Sequence, residues 1–200
     1  MKQFILILFL GSITNTFAQF SDKIKSIEKF QFQINADFKN PDESPLSARD
    51  LKNFKGLEFF DIDTSFILTA QFVRTPAEAP FAMSTTTDRK PIYVKYGEVY
   101  FKLKAKNIKL NIYQNQDLIK KPEYLDYLFL PFTDKTNGET TYSGGRYLDI
   151  RIPEGDSIIL DFNRAYNPYC AYNHTYSCPI PPSENNLPVS IPAGVKVYKN

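Results

Sequence analysis

Residues 146–163 read RYLDIRIPEGDSIILDFN, in which two apolar–polar alternations flank the turn sequence Pro-Glu-Gly. A period of two is typical of a strand with one buried face. The turn sequence suits a three-residue loop, because Pro is favoured early in a type I turn and Gly in the left-handed residue that follows. The segment therefore predicts a β-hairpin whose strands share one core face, formed by Leu148, Ile150, Ile152, Ile158, Leu160 and Phe162.

The opposite face of this predicted hairpin carries Tyr147, Asp149, Asp161 and Asn163. The three-residue loop sets a register in which Tyr147 opposes Asp161, so Asp149 and Asp161 are diagonal neighbours at about 7 to 8 Å. Inverting glycosidases keep their acid and base roughly 6.5 to 9.5 Å apart, which makes Asp149 and Asp161 the candidate catalytic residues. The alternative is that both acids are solvated strand residues near Arg146 or Arg151.

Outward from this segment, the chain is predicted to hold one β-rich domain, residues 19–200. Residues 21–55 show helical spacing and form a lead-in, residues 57–163 supply strands, and residues 164–200 form a Pro- and Tyr-rich loop and a final strand. The fold class is mainly β, an antiparallel sandwich or partly closed barrel with one or two N-terminal helices packed on it. Strands are predicted at 58–63, 66–73, 81–86, 92–95, 98–105, 108–114, 127–133, 146–152, 157–163 and 187–198.

Composition excludes several classes of protein. The chain has 200 residues, with 24 Lys and Arg against 22 Asp and Glu, one His, two Cys, 17 Phe and 13 Tyr. This is a globular composition, not that of a disordered chain, a coiled coil or collagen. One His and two Cys cannot supply a zinc finger or a four-cysteine cluster, and the sequence has no glycine-rich phosphate loop. We therefore expect no metal and no cofactor, and the balanced charge favours no nucleic-acid partner.

The first 18 residues are typical of a secretory signal peptide. Lys2 precedes an apolar run, residues 4–10, and small side chains at Thr16 and Ala18 predict cleavage between Ala18 and Gln19. The run is too short to cross a bilayer, so we expect no membrane span in the mature chain. The predicted location is extracytoplasmic, either periplasmic or secreted.

Two cysteines, Cys170 and Cys178, lie close together in the Pro- and Tyr-rich loop. In an oxidising compartment this spacing predicts a disulfide, which would stabilise the fold by about 2.5 kcal/mol in the chain-entropy account. The alternative is a nucleophilic thiolate with His174 as its base.

Candidate ligand-binding residues cluster before and after the predicted hairpin. Two adjacent glycines allow the backbone to approach a ligand or a neighbouring loop closely. Tyrosine, arginine and asparagine side chains suit the recognition of polar molecules. The candidates are Tyr142, Gly144, Gly145, Arg146, Tyr147, Asn163 and Asn167.

Several short motifs, taken in order, resemble those of the bacterial family known as domain of unknown function 1684 (DUF1684). They are YQNQDL at 113–118, LFLPFTD at 128–134, GGRYLD at 144–149, DFN at 161–163, AYNP at 165–168, Cys178-Pro179 and PPSEN at 181–185. Ser143 departs from the pattern, since a third glycine is usual there. The resemblance implies a bacterial, often exported protein with no established activity.

Three hypotheses of function remain open from the sequence. The preferred one is a binding domain for a small polar ligand or a glycan, held against tyrosines and a few convergent polar groups. The second is a metal-independent hydrolase that uses the paired carboxylates. The third is a structural or interaction protein of the cell envelope with an unknown protein partner.

Overall fold

The protein consists of a curved antiparallel sheet that is preceded in the chain by two α-helices. The computed structural model describes residues 6–198, with side chains described from residue 21 onward. Two α-helices, α1 (Leu6–Lys39) and α2 (Ala48–Asn53), precede seven strands. The strands are β1 (Ile67–Arg74), β2 (Phe81–Ala82), β3 (Ile92–Leu103), β4 (Lys106–Asn115), β5 (Tyr127–Phe132), β6 (Arg146–Arg151) and β7 (Ser157–Asp161).

The strand order is β6-β5-β4-β3-β1-β7, and β2 pairs with β3 outside this path. Every pair is antiparallel, and the sheet curls into a half-barrel. The predicted class, mainly β with N-terminal helices, is confirmed.

The main hydrophobic core lies on one face of this sheet because alternate residues of each strand point to it. On β5, Leu128, Leu130 and Phe132 are buried there. The irregular segment 187–193 packs against the same face and contributes four apolar side chains, Leu187, Val189, Ile191 and Ala193. The predicted strand 187–198 is therefore wrong. The segment forms no regular strand, since Pro188 and Pro192 lack the N–H that a strand ladder needs, and it meets other backbone through isolated bridges such as Phe59 with Val195. Residues 58–63 likewise form a bridge and no strand.

Asn185 holds two strands together from inside the sheet. β4 and β5 pair at Tyr113 and Phe129. Beyond that point the buried amide of Asn185 lies between them. Its Oδ1 accepts the Asn111 N–H at 2.8 Å, and its Nδ2 donates to the carbonyls of Asn111 at 2.8 Å and Pro131 at 2.7 Å. The side-chain amide thus satisfies backbone groups that would otherwise be buried without partners.

The predicted hairpin of residues 146–163 is wrong in its pairing. β6 pairs with β5, from Tyr127 opposite Arg151 onward, and β7 pairs with β1, from Ile67 opposite Asp161 onward. Tyr147 therefore does not oppose Asp161. β6 pairs with the strand before it and β7 with a strand far back in the chain, and the chemistry of the turn between β6 and β7 carries no information about either partner. The curvature of the sheet still brings its two edge strands to one core, so the shared core face is confirmed.

The predicted strands 92–95 and 98–105 form the single strand β3, interrupted by a bulge between Lys95 and Gly97. A Cβ atom on Gly97 would lie 2.5 Å from the Phe72 ring and 2.8 Å from the Val73 carbonyl oxygen. Only glycine allows β1 this close to the bulge. The strand ends at Leu103 because Lys104 and Ala105 adopt positive φ and reverse the chain.

The helical prediction for residues 21–55 is confirmed in outline. Ser47 caps α2 by accepting the Asp50 N–H at 3.2 Å. The described part of the chain contains no helix long and apolar enough to cross a membrane. Residues 1–5 of the predicted signal peptide lie outside the described residues. The backbone of Ala18 and Gln19 belongs to α1, and the cleavage stays a prediction.

Candidate functional site

A cavity of about 460 Å³ lies on the face of the sheet opposite the main core. Four parts of the chain wall it: the second half of α1, the outer face of β3, β5 and β6, the turn at Leu118, and the loop around residues 166–179. We call it the tyrosine cavity, because half of its lining residues are aromatic and six of these are tyrosines: Tyr93, Tyr127, Tyr147, Tyr166, Tyr169 and Tyr176.

Strand alternation explains how the sequence builds the floor of this cavity. On β6, Tyr147 and Asp149 point away from the core that Leu148 enters. Phe129 of β5 lies opposite Asp149, so both strands present a side chain at the same point. Tyr166 reaches the floor because its backbone pairs with that of Tyr147, with N–H to carbonyl distances of 2.9 and 3.1 Å.

Asp149 is the central polar group of the tyrosine cavity. The hydroxyls of Tyr127 and Tyr166 both donate to its Oδ1, each at 2.6 Å. Its Oδ2 makes no hydrogen bond within the described residues, and the side chain is open to the cavity. One carboxylate oxygen is therefore fixed by the protein, and the other is available to a ligand.

The surroundings of Asp149 raise the pKa of its carboxyl group. Enclosure by protein raises the pKa of Asp149, and the hydrogen bonds from Tyr127 and Tyr166 oppose that rise without cancelling it. Burial and the nearby carboxylate raise the pKa of both tyrosines, so their hydroxyls stay protonated donors. The neighbouring Arg151 gives Asp149 no direct ion pair, because its guanidinium binds Asp126 at 2.6 Å.

The two cysteines lie at the edge of the tyrosine cavity, which Cys178 lines. Both are buried free cysteines in this structure, and the Cys170 N–H donates to Cys178 Sγ at 3.1 Å. The hydrogen bond from Cys178 lowers the pKa of Cys170 to about 6, and the same contact together with burial raises the pKa of Cys178. The disulfide stays a prediction.

Asp161 occupies a different environment from Asp149. Its Oδ1 accepts from the N–H and the Nδ2 of Asn163 at 3.1 and 2.9 Å, and its Oδ2 lies 3.4 Å from Arg164. A second cavity, of about 350 Å³, lies between β6 and β7 and is bordered by both Asp149 and Asp161. The structure thus places the two acids around one space on separate strands, and not on one hairpin.

Arg146 lies outside both cavities. It is fully buried and donates to Asp134 Oδ2 at 2.9 Å, to the Ile191 carbonyl at 2.8 Å and to the Ala193 carbonyl. Asp134 in turn accepts the Ile191 N–H at 3.0 Å. The pair ties β6 to the segment that fills the core, which is a structural position.

The other sequence-predicted ligand residues also lie away from the cavities. Gly145 approaches a neighbouring segment, since a Cβ there would lie 2.7 Å from the Phe132 carbonyl oxygen. Gly144 packs against the Tyr142 ring, and the Tyr142 hydroxyl lies 3.8 Å from Cys170 Sγ. Asn163 pairs with the backbone of Asp63, and Asn167 donates to the Lys196 carbonyl at 2.9 Å. Of the predicted site residues, the structure brings Tyr147 and Asp149 together.

Sequence reasoning missed Tyr127, Tyr93 and the contribution of α1 to the cavity. Alternation on β5 places Tyr127 and Phe129 on one face, which was a usable signal. No local pattern indicates that Tyr166 and α1 reach the same place.

The fold and the cavity define a small half-barrel protein with an acidic, tyrosine-lined cavity outside its sheet. The chain belongs to the family described as "Protein of unknown function (DUF1684)", whose model matches residues 52–196. A solution NMR structure of an uncharacterized protein from Haloarcula marismortui is similar, with 30% sequence identity and a TM-score of 0.70. That match covers 90% of this chain and 96% of the other. No curated protein matches the chain.

Proposed function

We propose that this protein is an exported binding protein that holds a small polar molecule in the tyrosine cavity. Asp149 carries the proposal: two tyrosine hydroxyls donate to its Oδ1 at 2.6 Å, its Oδ2 has no hydrogen-bond partner among the described residues, and the residue lines a cavity of about 460 Å³. Ligand sites are typically concave, largely apolar and furnished with a few well-placed polar groups. The Asp149 carboxylate is exposed at the cavity surface, and a ligand that donates to its Oδ2 would replace water there.

The experiment is an NMR titration of the protein with three classes of compound: neutral sugars, organic ammonium ions and small carboxylates. At least one class should shift the resonances of Tyr127, Asp149 and Tyr166. Gln33→Trp, which places an indole at an exposed position on the cavity wall, should abolish the shifts. Lys29→Trp, on the same helix but outside the lining, is the matched control. If no class moves these resonances, the proposal is wrong.

Hydrolysis is a second candidate, because Asp149 and Asp161 border the second cavity and the pKa of Asp149 is raised. A raised pKa is what a general acid requires. The partners of Asp161 weigh against it, since Asn163 and Arg164 already occupy that carboxylate. A panel of nitrophenyl glycosides distinguishes the candidates. Turnover that is lost in both Asp149→Asn and Asp161→Asn supports hydrolysis, and an inactive parent protein refutes it for these substrates.

A further inference from the structure

The lining of the tyrosine cavity has a charge of one sign. It contains two carboxylates, Asp37 from α1 and Asp149 from β6, and no Lys, Arg or His among the described residues that line it. Asp37 accepts a hydrogen bond from Gln33 at 2.7 Å, which adds no positive charge. Anionic ligands are therefore disfavoured, and a positive charge would be attracted from both walls.

Basic residues near the cavity are hydrogen-bonded to groups of the protein. Arg89 donates to the hydroxyl and the carbonyl of Ser177, a lining residue, at 3.1 and 2.7 Å. Arg151 binds Asp126 outside the cavity, and Arg164 donates to the Ser26 hydroxyl at 2.5 Å and the Ser26 carbonyl at 3.3 Å. Asp149 thus accepts from two tyrosine hydroxyls and has no cation in direct contact among the described residues, while the nearby charge of Arg151 opposes the rise in its pKa that burial causes.

The aromatic rings provide the second requirement for binding an organic cation. Tyr169 and Tyr176 stand at the wall with ring centroids 5.3 Å apart in an edge-to-face arrangement, and Tyr147 and Tyr166 form a similar pair at 5.8 Å. Because the two rings of each pair are steeply inclined to each other, their faces point in different directions. Aromatic faces attract ammonium groups through the ring quadrupole, most strongly where water is excluded.

From this geometry we infer that the ligand of the tyrosine cavity is a small organic ammonium ion, its charge at Asp149 Oδ2 and its alkyl groups against the tyrosine rings. The inference rests on the proposed function and narrows its ligand class. A neutral sugar would leave the carboxylate charge uncompensated, whereas an ammonium ion neutralises it and is itself solvated by the rings.

The test uses calorimetric titration of the full chain with choline, with ethanolamine and with dimethylbutanol, the isostere of choline in which carbon replaces the charged nitrogen. At least one ammonium compound should bind at least about tenfold more tightly than dimethylbutanol. Comparing the affinities for choline and ethanolamine shows whether the cavity prefers a quaternary or a primary ammonium group.

Two variants locate the effect. Asp149→Asn should weaken binding of the ammonium compound by about tenfold or more and leave dimethylbutanol unchanged, because it removes the charge and keeps the shape. Asp156→Asn, an exposed acid outside the tyrosine cavity, is the control and should change neither affinity. A melting curve of each variant verifies that it is folded.

Equal affinity for choline, ethanolamine and dimethylbutanol overturns the inference, as does an unchanged cation affinity in Asp149→Asn. If a neutral sugar shifts the cavity resonances and no ammonium compound binds, the inference fails while the proposed binding function stands. If no compound of any class binds, both fail.

Discussion

Arg146 donates to Asp134 at 2.9 Å, and neither side chain exposes any surface to water. The sequence separates these residues by a loop, and the fold encloses the pair between β6 and the segment that fills the core. A buried ion pair of this kind is costly to break, because the remaining partner keeps an uncompensated charge.

We expect Arg146→Met to lower the free energy of unfolding by about 3 to 5 kcal/mol, because Asp134 and two backbone carbonyls lose their donor. Urea unfolding measures the change. Arg151→Met is the matched control, since the Arg151–Asp126 pair is more than half exposed and should contribute less than about 1 kcal/mol. A loss in Arg146→Met no larger than in the control would contradict the prediction.

Asp149→Asn should stabilise the protein at about pH 7, by less than about 0.5 kcal/mol, because solvent at this exposed carboxylate screens much of the effect. The pKa of Asp149 is higher in the folded state than its ordinary value of 3.8, so the folded state is favoured while the acid is protonated. That contribution is lost as the pH rises through the folded-state pKa. The variant's advantage should therefore disappear at about pH 3, where the acid is protonated in both states.

Urea unfolding of the parent, Asp149→Asn and Asp156→Asn at both pH values tests this expectation. Asp156 lies outside the tyrosine cavity and accepts no tyrosine hydroxyl, so its substitution is the control for the loss of the Asp149 environment. A variant at Asp149 that is less stable than the parent at neutral pH would show that the carboxylate is structural.

Cys170 and Cys178 should form a disulfide bond in the protein recovered from its natural compartment. The two residues are adjacent and buried, and the lowered pKa of Cys170, about 6, provides the thiolate that disulfide exchange requires. Closing this short loop should raise the free energy of unfolding by about 2.5 kcal/mol. Peptide mapping without reductant identifies the bond, and Cys170→Ser should be indifferent to reductant. Two free thiols in protein from an oxidising compartment would refute the prediction.

Export should remove residues 1–18. The apolar run followed by Thr16 and Ala18 predicts cleavage that leaves Gln19 as the first residue. Intact-mass measurement of the protein from the envelope or medium gives the answer directly. Full-length chain confined to the cytoplasm would exclude export.

The sequence predicts which face of a strand is buried better than it predicts which strands pair. Alternation correctly separates Leu148 from Tyr147 and Asp149, because burial on one side of a strand imposes a period of two. It does not indicate that β7 pairs with β1, because these two strands are far apart in the sequence. The Pro-Glu-Gly sequence was misleading for this reason: a favourable turn is a local preference, and the long-range pairings of both strands override it.

In the candidate site, too, the sequence predicts the face on which a residue lies but not the residues that it contacts. Asp149 could be selected from the sequence as a polar residue on the solvent side of a strand. Its two hydroxyl partners come from β5 and from a loop beyond β7, so their convergence is a property of the tertiary structure. Arg146 was wrongly predicted to bind a ligand. An arginine beside two glycines suggests a ligand contact, yet its guanidinium forms a buried ion pair with Asp134.

The amide of Asn185, inserted between β4 and β5, has a consequence for the order in which the protein folds. Both strands leave the ribosome long before residue 185, and until it arrives the Asn111 and Pro131 backbone groups lack their partner. The segment 187–193, which fills the core, follows later still. The contacts that Asn185 and this segment supply to the half-barrel therefore form only after most of the chain has been synthesised.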